Sequence, residues 1–287
     1  MEKQKTITPI TILLSLNNFC CITIPVYKSK PDKYEVRSLC QCLKVFDHYP
    51  ICMVVPDGIN TNNYETLLKK HHSNYHFEYF DKRFFDGIQG YNSLMLSSEF
   101  YQRFLSFDYI LIYQLDAYVF FNKLDYWCSK GLDYLGAPIP YGLIHDVEIT
   151  HNKKYNDTLN LPRAYNGGAS LRKVEAFLKT LSENNTLITK WFSEGLNEDI
   201  IFSSLLLQNC RIPDSEALQF CIDNFPRESV SRIGGQLPML CHGWTKLNDE
   251  SAEYDGLFWL QYIWKWEYWK LYTRKRIYRK IKKCLHR

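Results

Sequence analysis

The stretch Tyr109-Ile110-Leu111-Ile112-Tyr113 limits the possible folds more than any other in this chain of 287 residues. It is β-branched, aromatic or aliphatic throughout and does not alternate with polar residues. A strand that is apolar on both faces must be covered on both sides, as in the middle of a parallel sheet. Gln114, Leu115 and Asp116 follow where such a strand ends, and a second apolar run, Ala117 to Phe121, comes at once. Open α/β sheets bind ligands at the carboxyl ends of their strands. Asp116 is thus either a ligand-site acid or a turn cap of the ordinary kind.

The flanking sequence supplies the other layers. Cys20 to Ile24 reads as a strand that stops near Pro25, because proline cannot donate to a central ladder. Pro31 and Asp32 open a helix to about Phe46, with Val36, Leu39, Leu43 and Phe46 at helical spacing. Ile51 to Val55 is a second buried strand, closed by Pro56-Asp57-Gly58. A short helix, Tyr64 to His71, and a short strand, His76 to Phe80, come next. Strands alternating with helices mark parallel βαβ units. Gln89 to Phe104 reads as one helix leading into the central strand. After it, Leu124 to Cys128 is a short helical piece and Tyr134 to Pro138 a short strand. Residues 140–163 are polar and without period, as in a lid, a binding loop or a disordered segment.

Composition excludes several classes. Hydrophobic residues at 46% and charged residues at 23% are ordinary for a globular protein. A net charge of +4 is too small for nucleic-acid binding over the whole surface. The ten cysteines include no Cys-x-x-Cys pair, and most lie in apolar runs, which argues for reduced thiols and a cytosolic setting. No run has the length of a membrane span. Lys3 and Lys5 before Ile10 to Leu16 look like a weak export signal, but Asn17 and Asn18 interrupt it and no small-residue cleavage site follows.

Three more polar constellations carry chemistry. Asn166-Gly167-Gly168 precedes a helix read from Lys173 to Leu181. Its glycines either bring backbone close to a ligand, with helix amides free for an anion, or form an ordinary turn. Asn197-Glu198-Asp199 opens a helix from Ile200 to Leu207; these acids either serve a site or answer the helix dipole. His242, in Cys241-His242-Gly243-Trp244, is either a ligand or a satisfied structural histidine.

In this order the pieces resemble the GT-A glycosyltransferases, which carry an acidic DxD motif at a strand end, a glycine loop, an x-Glu-Asp motif at a helix start and a late histidine. The chain looks most like a largely uncharacterised bacterial family of this fold, encoded among surface-polysaccharide genes. Look-alikes there include Ile24-Pro25-Val26-Tyr27, Gly90-Tyr91-Asn92, Tyr113 to Ala117, Gly136-Ala137-Pro138 and Cys241 to Trp244. The resemblance spans about residues 20–245. It implies a mostly parallel, Rossmann-like central sheet with flanking helices. It also implies a hexosyltransferase-like enzyme moving a sugar from a nucleotide-sugar donor to a glycan or lipid-linked acceptor. Asp199 would be the base, with Glu198 positioning the acceptor or the helix terminus. Pro25, Tyr27 and Asp57 would hold base and ribose, and Gln114, Asp116, Asn166, Gly167 and Gly168 the rest of the donor. Asp116 and His242 would hold Mn²⁺ or Mg²⁺ against the departing diphosphate. Where the family has a second DxD acid, this chain has Tyr118, so either the metal is weakly held or basic residues such as Arg172 replace it. That departure also leaves open a non-catalytic nucleotide-sugar or carbohydrate-binding protein of the same fold.

From Tyr254 onward the composition changes. Trp259, Tyr262, Trp266 and Trp269 mix with Lys265, Lys270, Arg274 and a run of further basic residues. A basic helix with aromatics on its apolar side either lies on an anionic membrane surface or packs on the protein. The expected division is an arm at 1–19, a GT-A-like domain at 20–250 and a basic amphipathic helical tail at 251–287. The expected location is the cytoplasm, as a peripheral protein on the inner face of the membrane.

Overall fold

A computed structural model describes residues 19–72, 74–139, 164–207, 212–247 and 255–274. Its centre is a sheet of strands β1 (Cys20–Pro25), β2 (Ile51–Pro56), β3 (Tyr75–Phe80), β4 (Tyr109–Tyr113), β6 (Tyr134–Ile139) and β7 (Ala164–Lys173). The short strand β5 (Tyr118–Val119) lies between β4 and β6 in the chain and belongs to a second sheet. The main sheet runs in the order β3-β2-β1-β4-β7-β6. The first four pair in parallel. β7 runs antiparallel to both β4 and β6. β1, β2 and β4 are buried along their whole lengths, as their uninterrupted apolar runs require.

The helix expected after β1 forms from Lys33 to Val45. Asp32 caps it by accepting from the amides of Tyr34 and Glu35, and Glu35 reaches back to the Asp32 amide. The helix expected over Gln89 to Phe104 is instead two, Gly87–Met95 and Ser98–Gln102. Ser97 breaks it: its hydroxyl accepts from the Phe100 amide and starts a new first turn. β6 runs one residue past Pro138, which an edge strand tolerates because one side of its ladder is unpaired. Residues 1–18 of the expected arm, and the irregular stretch 140–163, lie outside the described residues.

The second sheet joins β5 to β9 (Leu240–Cys241) and β8 (Cys221–Ile222). Around it sits a separate apolar cluster that includes Tyr118, Ile222, Trp244, Phe258, Trp259 and Leu260. The residues from Tyr254 onward therefore divide. A helix from Gly256 to Ile263 packs into this cluster, and a second helix covers residues 265–274 after a break at Trp264. The second helix docks through Glu267, which accepts from Lys33 and Tyr34. Its Trp266, Trp269 and Tyr272 remain exposed. No helix among the described residues is long and apolar enough to cross a membrane.

Candidate functional site

β1 pairs with β2 on one side and β4 on the other, so the strand order reverses between β1 and β4. A doubly wound sheet has its crevice at such a point, beyond the carboxyl ends of the strands. The cleft lies there, with a volume of about 630 Å³. β1 contributes Pro25 and, just beyond it, Tyr27; the end of β4 contributes Gln114 and Asp116. Asn166, Gly167, Gly168, Asn197, Glu198, Asp199 and His242 also line it. Eight of the nine positions singled out for donor or metal binding, and both acids of the helix start, thus meet in one place. Asp57 does not. Its amide donates to Phe80 O at 2.8 Å, which ties the end of β2 toward β3 and away from the crevice.

The glycine segment differs from its sequence reading. Asn166, Gly167 and Gly168 lie inside β7, with the next helix starting only at Val174, so no helix amides are offered there to an anion. The glycines are required by close approach of protein groups. A Cβ on Gly167 would collide with Glu198 Oε1, and one on Gly168 would fall 2.6 Å from Gln114 Oε1 and collide with His242. Gly168 also fixes the end of β4, since its carbonyl accepts from the Gln114 amide at 3.0 Å.

Arg172 also departs from its expected role as a free cation for the diphosphate. It is 0% exposed and does not line the cleft. Its guanidinium donates to Glu198 Oε1 at 2.8 Å, to the Tyr101 hydroxyl at 2.9 Å and to Gly167 O at 3.2 Å. Tyr134, Phe177 and Phe202 place their rings around it, adding cation–π contact. Its charge is therefore matched inside the fold by Glu198.

Glu198 and Asp199 sit in the first turn of the helix Glu198–Leu206. Asn92 holds that terminus: its side chain accepts from the Glu198 amide and donates to Asn197. Asp199 accepts from its neighbour Ile200 N at 2.8 Å. Burial, and then the charge of Glu198 beside it, raise the Asp199 carboxyl to about 7. A carboxyl poised there can take a proton near neutral pH.

On the opposite wall, His242 Nε2 faces Asp116 Oδ1 at 3.1 Å and Gln114 Oε1 at 3.2 Å. Its Nδ1 donates to Asp223 Oδ1 at 3.1 Å. Burial disfavours a charged imidazole, but Asp116 and Asp223 overcome it and raise His242 to about 10. Burial likewise works against the Asp116 carboxylate, yet His242 holds it below the usual range. Asp223 was not singled out in the sequence. It is buried after β8, and the chain turns immediately afterwards at Phe225 with φ 46°, a conformation that side chains other than glycine seldom adopt. A buried carboxylate on the far nitrogen of a histidine is the arrangement that orients metal-ligating imidazoles.

The donor set suits a divalent cation. One carboxylate, one amide oxygen and one imidazole nitrogen, able to ligate once a cation displaces its proton, converge; among the described residues Lys28 and His242 are the basic ones lining the cleft, against five acids. Among the described residues no three His, Cys, Asp or Glu side chains form a complete cage. A cation there would need further oxygens from its ligand and water, as Mg²⁺ and Mn²⁺ accept. Tyr118 takes no part: it is buried against Trp244, at a ring separation of 5.8 Å.

This sheet, with its crevice, has the GT-A fold. A galactosyltransferase, LgtC, in complex with donor and acceptor sugar analogues superposes with a TM-score of 0.54 at 12% identity, over 77% of this chain and 86% of that one. An active-site variant of LgtC gives 0.54 at 15% identity, over 81% and 92%. No curated protein matches the chain. The chain belongs to the family described as "Protein of unknown function (DUF5672)", whose profile matches residues 74–242.

Proposed function

We propose that this protein is a glycosyltransferase that moves a sugar from a nucleotide-sugar donor to the hydroxyl of a glycan or lipid-linked acceptor, in surface-polysaccharide synthesis. The supporting observation is the convergence, at the switch point, of Asp116, Gln114 and His242 opposite Glu198 and Asp199. Tyr27, 45% exposed at the mouth, offers a ring face to a nucleobase. Asp116, His242 and Gln114 would hold Mn²⁺ or Mg²⁺, which would neutralise charge on the departing diphosphate. Asp199 accepts the proton of the attacking hydroxyl. A sugar between Glu198 and His242 would lie against the bare backbone at Gly167 and Gly168. The proposal includes a cytoplasmic, peripheral location. Exposed Trp266, Trp269 and Tyr272, with Lys265, Lys270 and Arg274, are suited to the anionic inner face of a membrane.

The burial of Tyr118 leaves the cation with one carboxylate from this motif, and that observation favours the second reading, a non-catalytic nucleotide-sugar-binding protein of the same fold. A thermal-shift screen of nucleotide sugars with and without Mn²⁺ tests the shared premise. Slow hydrolysis of the stabilising donor without acceptor supports the transferase. Stabilisation with no hydrolysis, and no transfer to any glycan acceptor, supports the binding protein. No stabilisation by any nucleotide sugar overturns both.

A further inference from the structure

Two polar groups in the cleft wall have no partner within hydrogen-bond distance among the described residues: Glu198 Oε2, and the Tyr91 hydroxyl, whose next polar neighbour is the Gln114 side chain. Both residues line the cleft and both are buried, Glu198 being 2% exposed. An unpartnered buried carboxylate oxygen or hydroxyl is costly, so proteins seldom leave one without a purpose. Neither group is free to turn away. Arg172 holds the other Glu198 oxygen at 2.8 Å. Tyr91 is fixed by its ring contact with Tyr27, at a centroid separation of 6.2 Å, and by its place in the helix Gly87–Met95. Gly90 allows that helix to press on the turn before it, since a Cβ there would fall 3.1 Å from the Phe84 carbonyl carbon. Asn92, the residue after Tyr91, accepts from the Glu198 amide, so the helix that carries Tyr91 is bonded to the helix start that carries Glu198, and both side chains line the same cleft.

We propose that Tyr91 and Glu198 form a hydroxyl-reading pair, which selects a hexose bearing a free ring hydroxyl at this wall over its deoxy counterpart. This rests on the nucleotide-sugar reading above and deepens it. The chemistry is complementary. A carboxylate oxygen only accepts, whereas a phenol both donates and accepts. A sugar hydroxyl donates to Glu198 Oε2 while it accepts from, or a vicinal hydroxyl donates to, the Tyr91 oxygen. A site that hydrogen-bonds a hydroxyl rejects the analogue lacking it strongly, because its own buried groups are then left unpaired. Glu198 is by this account a specificity residue; the proton of the acceptor goes to Asp199.

The test uses the full chain and titration calorimetry with UDP-glucose, UDP-galactose and GDP-mannose, each beside UDP or GDP alone. Tyr91→Phe keeps the ring and removes only the unpartnered oxygen, so it should melt at or above the wild-type temperature. It should bind the preferred nucleotide hexose about ten-fold more weakly, with affinity for the free nucleoside diphosphate unchanged. One monodeoxy form of that hexose should lose a similar factor on the wild type and nothing further on Tyr91→Phe. If Tyr91→Phe binds nucleotide and nucleotide hexose as the wild type does, the pair is overturned and the donor reading stands. An equal loss for both ligands would place Tyr91 at the nucleotide and also overturn the pair. If no nucleotide hexose binds the wild type, the donor reading falls and takes the pair with it.

Discussion

Replacing Arg172 by methionine should be among the most damaging single changes in the protein. The substitution keeps an unbranched chain of similar girth in the aromatic surround of Tyr134, Phe177 and Phe202. It removes the cation opposite Glu198, whose side chain is 3% exposed. Removing one partner of a buried ion pair costs about 3–5 kcal/mol, because the other charge stays buried and uncompensated. For a chain of this size that is a fall in melting temperature of roughly 6–20 °C. The Tyr101 hydroxyl and Gly167 carbonyl lose their donor as well, which places the effect toward the upper end. Arg172→Lys restores charge but not the forked geometry and should fall between the two. In Arg172→Met/Glu198→Met neither charge of the pair is left buried without its partner, so the double variant should recover most of the loss. Calorimetric melts at pH 7 of wild type, Arg172→Met, Arg172→Lys, Glu198→Met and the double variant provide the measurement. A single variant melting within about 2 °C of wild type, or a double variant whose loss is the sum of the two singles, would refute the reasoning.

Asp199→Asn should lower kcat by about 10²–10⁴-fold with little change in donor affinity, read from initial rates and binding titration. Wild-type kcat should rise with pH through about 7 as this carboxyl ionises, and the variant should lose that limb. The same group makes stability pH-dependent. Its pKa in the fold is raised, so its contribution is fully present below the ordinary value near 3.8 and is lost as pH rises through about 7; melts of Asp199→Asn against pH should lack that slope. Asp223→Asn should weaken Mn²⁺ binding about 10–100-fold, measured by calorimetry or by the electron-spin signal of free Mn²⁺, while the protein remains folded. Removal of residues 270–287 should leave a folded protein that no longer sediments with anionic vesicles at low salt; full-length protein that ignores such vesicles sinks the membrane proposal.

The central strand was legible because burial on both faces leaves no alternation to confuse, and Asp116 because a carboxylate in such a run stands out. The start of the helix at Lys33 was legible for a local reason, the cap at Asp32. β7 was not legible. Asn-Gly-Gly reads locally as a turn, and what makes it strand is pairing on both sides, with β4 and with β6. The same pairing turns Arg172 inward, opposite Ile110 and Tyr134, so a residue that looked like a free cation is an interior one. Asp223 carries no local signal at all. It reaches His242 because β8 pairs with β9, matching Ile222 to Cys241, and that contact exists only in the fold. The break at Ser97 could have been found: a serine followed three residues later by a buried aromatic amide is a cap, but the apolar spacing across it suggested one helix.

Glu198 and Asp199 show why adjacent acids need not share a role. Both begin one helix, where the dipole favours negative charge. Glu198 meets a cation, because Arg172 projects from β7 directly beneath it. Asp199 meets none at that range: its own bond is to the Ile200 amide, and Arg172 lowers its carboxyl less than burial and Glu198 raise it. One acid is therefore held in a rigid ion pair with a single oxygen left over, and its neighbour is left able to exchange a proton near neutrality. A pair of carboxyls driven apart in this way divides positioning from proton transfer. The division depends on Arg172, so the variant that destabilises the fold should also shift the acid limb of the pH–rate profile upward, since the cation that restrains Asp199 is gone.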